Sequence, residues 1–132
     1  LPYDTVLMVE TGAVRLGRVE TTFLALQQLP DPPTAIMCFT DPMAIQMLAI
    51  ANKHGVRVPE ELAIAGYDGI LVSGLTSPPL TTVRQPQWEM GELAIDTLQA
   101  HIDDDVDTAI QHTLPAKLIV RGSTGPNLTP SH

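Results

Sequence analysis

Three polar residues stand at places where side chains do chemistry in an open α/β fold. Thr40 and Asp41 follow the apolar run 35–39, and Asp68 follows the apolar run 62–67. In such sheets, ligands bind in the crevice beyond the carboxyl ends of the strands. Thr40, Asp41 and Asp68 would converge on that crevice, offering hydroxyl and carboxylate acceptors without a basic counterpart. This set suits a hydroxyl-rich small molecule, because one carboxylate can accept from two neighbouring hydroxyls. Asp41 has a second reading, and its main one, as the cap of the helix that follows it. Asp68 could stabilise its own turn, but it is the better ligand candidate.

Enzyme motifs fail on inspection. Gly12 and Gly17 have the spacing of a phosphate loop, yet Arg18-Val19 follows where a lysine and a hydroxyl residue are required. His54, His101, His112 and His132 share no ligand spacing, and no serine or cysteine has a local base. The acidic run 103–107 reads as a solvated loop, since nothing fixes a metal geometry there. No cofactor is called for. Seven basic against fifteen acidic residues, a formal charge of −8, argue against a phosphate-binding surface on this segment. Any contact with DNA needs a separate, basic piece of protein. The one cysteine, Cys38, lies in an apolar run and reads as a small buried hydrophobe in a reducing compartment. No apolar run approaches the roughly 20 residues of a membrane span. Leu1 is not a natural start, so the chain reads as part of a longer, cytoplasmic protein.

The elements that must position these residues alternate. Residues 4–10 read as a strand. Residues 13–29 read as an amphipathic helix, with Val19, Phe23 and Leu26 at helical spacing. Pro30, Pro32 and Pro33 end it and force an extended entry into the next strand, 35–39. That strand is apolar throughout, as in a central strand covered on both faces. Asp41-Pro42 starts a helix running to about residue 54, with Gly55 placed as its C-terminal cap. A strand at 62–67, a short strand at 80–84, a helix at 86–102 and a last strand at 117–120 follow. The tail from Gly122 reads as disordered. The alternation predicts a doubly wound α/β domain: a parallel sheet between two helical layers.

Two surfaces in this scheme lack a cover. Between Met43 and Ala51 only Gln46 is polar. Ala44, Leu48 and Ala51 can face the sheet, which leaves Met43, Ile45, Met47, Ala49 and Ile50 for a second cover. The loop after Asp68 is also apolar, through Ile70, Leu71, Val72 and Leu75. A second copy of the chain would cover both; burial under the domain's own loops is the other possibility.

The residues then carry a resemblance. PTAIMCFTDPMAIQMLAIANKHGVRVPEELAIAGYDG, LTSPPLTTVRQPQWEMGELAIDTL and LPAKLIVRGST resemble the lactose- and galactose-repressor family of bacterial transcription regulators, over residues 3–124. The motifs that carry it are the polar-Asp-helix start at 40–41, the GVRVPEE turn, the GYDG strand end and the PPLTTVRQ segment. The resemblance implies a periplasmic-binding-protein-like domain of two lobes joined by crossover segments, preceded by a helix-turn-helix for operator DNA. This chain would supply most of the C-terminal lobe, two crossovers near 83–85 and 115–118, and one helix, 86–102, of the other lobe. The apolar stripe of that helix would then pack on the fragment's own sheet or on a neighbouring chain.

By the same resemblance, Asp68 matches an effector-contacting aspartate, and Thr40 stands where the family has asparagine. Gly69 replaces a second acidic residue. Gln85 and Gln87 match crossover positions that reach the cleft. Ile45, with Met43 and Met47 beside it, and Leu71, Val72, Leu75 and Thr76 match a homodimer interface. The implied function is effector sensing by a homodimeric regulator, with a sugar or nucleoside-like effector. The alternative is a secreted periplasmic sugar-binding protein with the same fold.

Overall fold

The computed structural model describes residues 16–104 and 111–125. The strand expected at 4–10 and the first residues of the helix expected at 13–29 lie outside them. Helix α1 spans Leu16–Gln27, and the prolines that follow hand the chain to strand β1, Ala35–Met37. Helix α2 is Asp41–Lys53 and strand β2 is Ala63–Asp68. A 3-10 turn, Leu71–Gly74, precedes strand β3, Thr81–Arg84. Helix α3, Gln87–Asp104, strand β4, Lys117–Ile119, and a 3-10 turn, Gly122–Thr124, complete the chain.

The strands form an open sheet in the order β1-β2-β3-β4. β1, β2 and β3 run parallel, and β4 returns antiparallel to β3 with Val83 opposite Leu118. The doubly wound α/β expectation therefore holds as an open, mostly parallel sheet with helices. β3 and β4 lie side by side, so the chain leaves the sheet for α3 and comes back at the same end.

The core sits between the sheet and α2, with α1 outside it. Ala44, Leu48 and Ala51 face the sheet as their spacing requires, against Ile64 and Leu80. α1 supplies the second cover, since Val19 and Phe23 join the same cluster as Met47 and Ile50. Each fully buried Leu, Ile or Phe contributes on the order of 1.5–3 kcal/mol. This corrects the assignment of Met47 to an interface between copies: it is 3% exposed, inside the core. Met43 and Ile45 are half-buried against that core.

The second face of the sheet is open among the described residues. β1 was expected to be a covered central strand; among the described residues it lies at the edge of the sheet, with Met37 66% and Phe39 85% exposed. By register, Met37 lines up with Ala65, and Leu118 with Val83, on that same face. Leu118 is exposed as well. The stripe of α3 was expected to pack on this sheet or on a neighbouring chain; Met90, Leu98 and Ile102 are exposed in the single chain, so the sheet does not cover them. α3 also runs through Asp103 and Asp104, where a loop was expected.

The tail expectation is corrected too. Ser123 is fully buried: its hydroxyl donates to the Ile64 carbonyl and accepts from the Thr81 amide at 2.8 Å. It satisfies two groups that the end of the sheet leaves open, so residues 122–125 are part of the fold.

Candidate functional site

The end of β2 is held in a backbone conformation that a side chain rarely adopts. Asp68 has φ +119° and Gly69 follows at φ +72°. Such a conformation at a residue other than glycine costs of order 1–3 kcal/mol and persists only where its surroundings impose it. The surroundings are visible. Gln85 Nε2 donates to Asp68 Oδ1 at 2.9 Å, and the Gly69 amide donates to Thr82 Oγ1 at 3.2 Å. Asp68 is half-buried, and its Oδ2 has no hydrogen-bond partner among the described residues.

Gly69 is required by a close approach. A Cβ there would lie 2.6 Å from Arg84 Cα. In this backbone any side chain at that position would collide with β3. Register also sets Arg84 beside Asp68, and Lys117 beside Arg84. Both cations are exposed, and neither is ion-paired with Asp68 among the described residues.

Gln85 also lines an open groove of about 620 Å³ between α3 and residues 112–116. Tyr67, Leu93, Thr97, His112 and Leu114 line it with Gln85. Its walls are mostly apolar, with polar groups from Gln85 at one place and from Thr97 and His112 at another, and Gln85 links it to Asp68. Gln87 begins α3 and is exposed; its amide donates to the Gln85 carbonyl at 2.9 Å. The structure therefore brings Asp68 and Gln85 together directly, with Gln87 one turn of chain away.

Thr40 takes the capping role expected of Asp41. Thr40 is the helix cap, its Oγ1 accepting from the Met43 amide at 3.4 Å. Asp41 is 0% exposed. Its Oδ1 accepts from Thr82 Oγ1 at 2.6 Å, and its Oδ2 accepts from the Ile70 amide at 2.9 Å and from Ser73 Oγ. A carboxylate so enclosed survives burial because donors replace its water. It has no face left for a ligand, so its assignment as a ligand contact is corrected. Thr82 and Ser73, its partners, were missed. The signal was present: two consecutive threonines in a strand too short to waste one on solvent.

Leu71, Val72 and Leu75 form an exposed apolar turn just beyond this network, Leu71 at 86% and Leu75 at 77% exposure. Thr76 is spent inside the turn, its hydroxyl donating to the Ser73 and Pro78 carbonyls. Cys38 is buried and bears on none of this; burial pushes its thiol up to about 12.

Known proteins share this fold. The model of the periplasmic binding protein-like domain matches residues 3–124. CytR of Escherichia coli K12, an HTH-type transcriptional repressor, is 40% identical over 103 residues, which cover 76% of this chain and 30% of CytR. The transcriptional regulator CelR in its cellobiose complex superposes with a TM-score of 0.80 at 29% identity, over 93% of this chain and 37% of that one. A LacI-family regulator from Arthrobacter sp. FB24, in complex with lactose, gives a TM-score of 0.71 at 32% identity, over 83% of this chain and 41% of that one. The chain thus spans less than half the length of each. It belongs to the periplasmic binding protein-like domain family, in the form carried by LacI-type transcriptional regulators.

Proposed function

We propose that this chain is an effector-sensing and pairing domain of a LacI-type regulator, without chemistry of its own. The observation that carries the reading is the strained, half-buried Asp68, held by Gln85, a residue that also lines the groove. Asp68 Oδ2 and the Gln85 carbonyl oxygen accept from a hydroxylated small molecule, and Thr40 and Gln87 border the same end of the sheet. Cellobiose and lactose in the related structures have this chemistry. α3 belongs to a second lobe, which explains its uncovered stripe, and closure of the lobes over the effector alters pairing. Pairing uses the exposed turn at Leu71, Val72 and Leu75, with Met43, Ile45 and Thr76 beside it. Operator DNA is reached through another part of the regulator, since this acidic segment suits no phosphate backbone. The apolar turn suits a pairing cytoplasmic regulator better than a secreted monomer.

The test is thermal unfolding with cellobiose, lactose and ribose, beside Asp68→Asn. A ligand at a hundredfold excess over its Kd adds about 2.7 kcal/mol to stability. Stabilisation of the natural chain by one of these sugars, absent in Asp68→Asn, is the expected outcome. No stabilisation by any of them would sink the saccharide reading.

A further inference from the structure

Asp41 is fully buried and makes none of the ligand contacts proposed above, yet its two oxygens point to the two functional regions. On one side, Oδ1 is bound by Thr82 Oγ1, which itself accepts from the amide of Gly69, the residue after Asp68. On the other side, Oδ2 is bound by the Ile70 amide and by Ser73 Oγ, and Ser73 lies within the turn that exposes Leu71 and Val72. Space for the carboxylate is kept open by a glycine: a Cβ on Gly66 would lie 2.3 Å from Asp41 Oδ1.

The backbone joins the two regions through two consecutive residues at positive φ, Asp68 and Gly69. The Asp41 carboxylate joins them a second time, and a buried acceptor that loses a donor carries the full desolvation cost of the unpaired group. Its donors therefore move with it, as a unit.

We propose that Asp41 is a positioning residue that couples Asp68 to the apolar turn 71–75. A shift of the strand end at Asp68-Gly69 passes through Thr82 to one oxygen of Asp41, and from the other oxygen to Ile70 and Ser73. This inference rests on the ligand and pairing roles proposed above. It adds the route between them.

The test is a mutant cycle read by amide hydrogen exchange at Ser73 and Leu75 in the full chain, without any ligand. Gln85→Ala disturbs the ligand end by releasing Asp68 Oδ1 and leaves the backbone of 68–75 unchanged in sequence. In the natural chain, and in Thr82→Ser, which keeps the hydroxyl, it speeds exchange at both amides by about threefold or more, a coupling of ordinary size for such networks. In Thr82→Val or Thr82→Ala, which remove the one hydroxyl that joins Gly69 to Asp41, Gln85→Ala leaves those rates as it finds them. An equal acceleration in the cut variants would assign the coupling to the backbone and overturn the proposal, as would no acceleration in the natural chain. Should Thr82→Val fail to fold, the Thr82→Ala comparison decides alone. Because no sugar enters the cycle, its failure is separate from a failure of the saccharide reading, which the unfolding experiment detects.

Discussion

Gln85 Nε2 lies 2.9 Å from Asp68 Oδ1, a bond that ties the residue after β3 to the last residue of β2. It holds the carboxylate of a residue whose backbone is already strained, so two features that oppose stability are kept at one point. The consequence is a trade. Asp68→Gly relieves the positive φ and should raise stability by about 1 kcal/mol. The same change should remove at least tenfold in affinity, about 1.4 kcal/mol, for whichever sugar stabilises the natural chain. Urea unfolding and calorimetry of the one variant check both signs. A destabilised Asp68→Gly would show that the strain is not real.

The exposed turn and the core give opposite answers to the same substitution. Leu75→Asp should leave unfolding unchanged within about 0.5 kcal/mol, as a surface change does. It should also abolish self-association in sedimentation equilibrium. Met47→Asp places a charge in the cluster with Phe23 and Ile50 and should unfold the chain. An associated Leu75→Asp would remove the turn from the pairing surface.

Why some of this was legible before the structure, and some not, comes down to range. The span of α2 follows from Asp41-Pro42 at one end and Gly55 at the other, all local signals, and Gly55 does take φ +73°. Which of Thr40 and Asp41 would cap was not decidable locally, because both side chains can accept from helix amides. Thr82 and Ser73 decide it, 41 and 32 residues away, by giving Asp41 better partners. Met47 was misplaced for a related reason. An apolar helix face needs a cover, but the sequence does not say whether α1 or a second copy supplies it. Asp68 stood out early because nothing local required a carboxylate after six residues of strand. Its link to Gln85 depends on the β2–β3 register, which only the paired sheet fixes.

Gly66 should tolerate no side chain. The Cβ of Gly66→Ala would meet Asp41 Oδ1 at 2.3 Å and Ala44 Cβ at 3.2 Å, in a part of the core with no room to yield. We expect a loss of about 2 kcal/mol or more, as for other overpacked buried sites. Gly55→Ala is the comparison. It meets open space, so only its φ of +73° opposes the change, and the loss should be about 1 kcal/mol. Urea midpoints in the reverse order would contradict the packing around Asp41.

The clip between α1 and α2 should make stability depend on acidity. Glu20 Oε1 lies 2.8 Å from both Lys53 Nζ and His54 Nε2. Hydrogen bonds from Lys53 first, and His54 second, hold its carboxyl below the ordinary carboxylate range. A folded-state value below the unfolded one means the contribution is complete above the unfolded value and disappears as pH falls through the folded one. Natural chain and Glu20→Gln should therefore differ in urea midpoint at neutral pH and converge in acid, below the ordinary carboxylate range. The pair is exposed to solvent, so the neutral-pH difference should also shrink with added salt. A difference that persists in acid would mean that Glu20 acts by packing and not by charge.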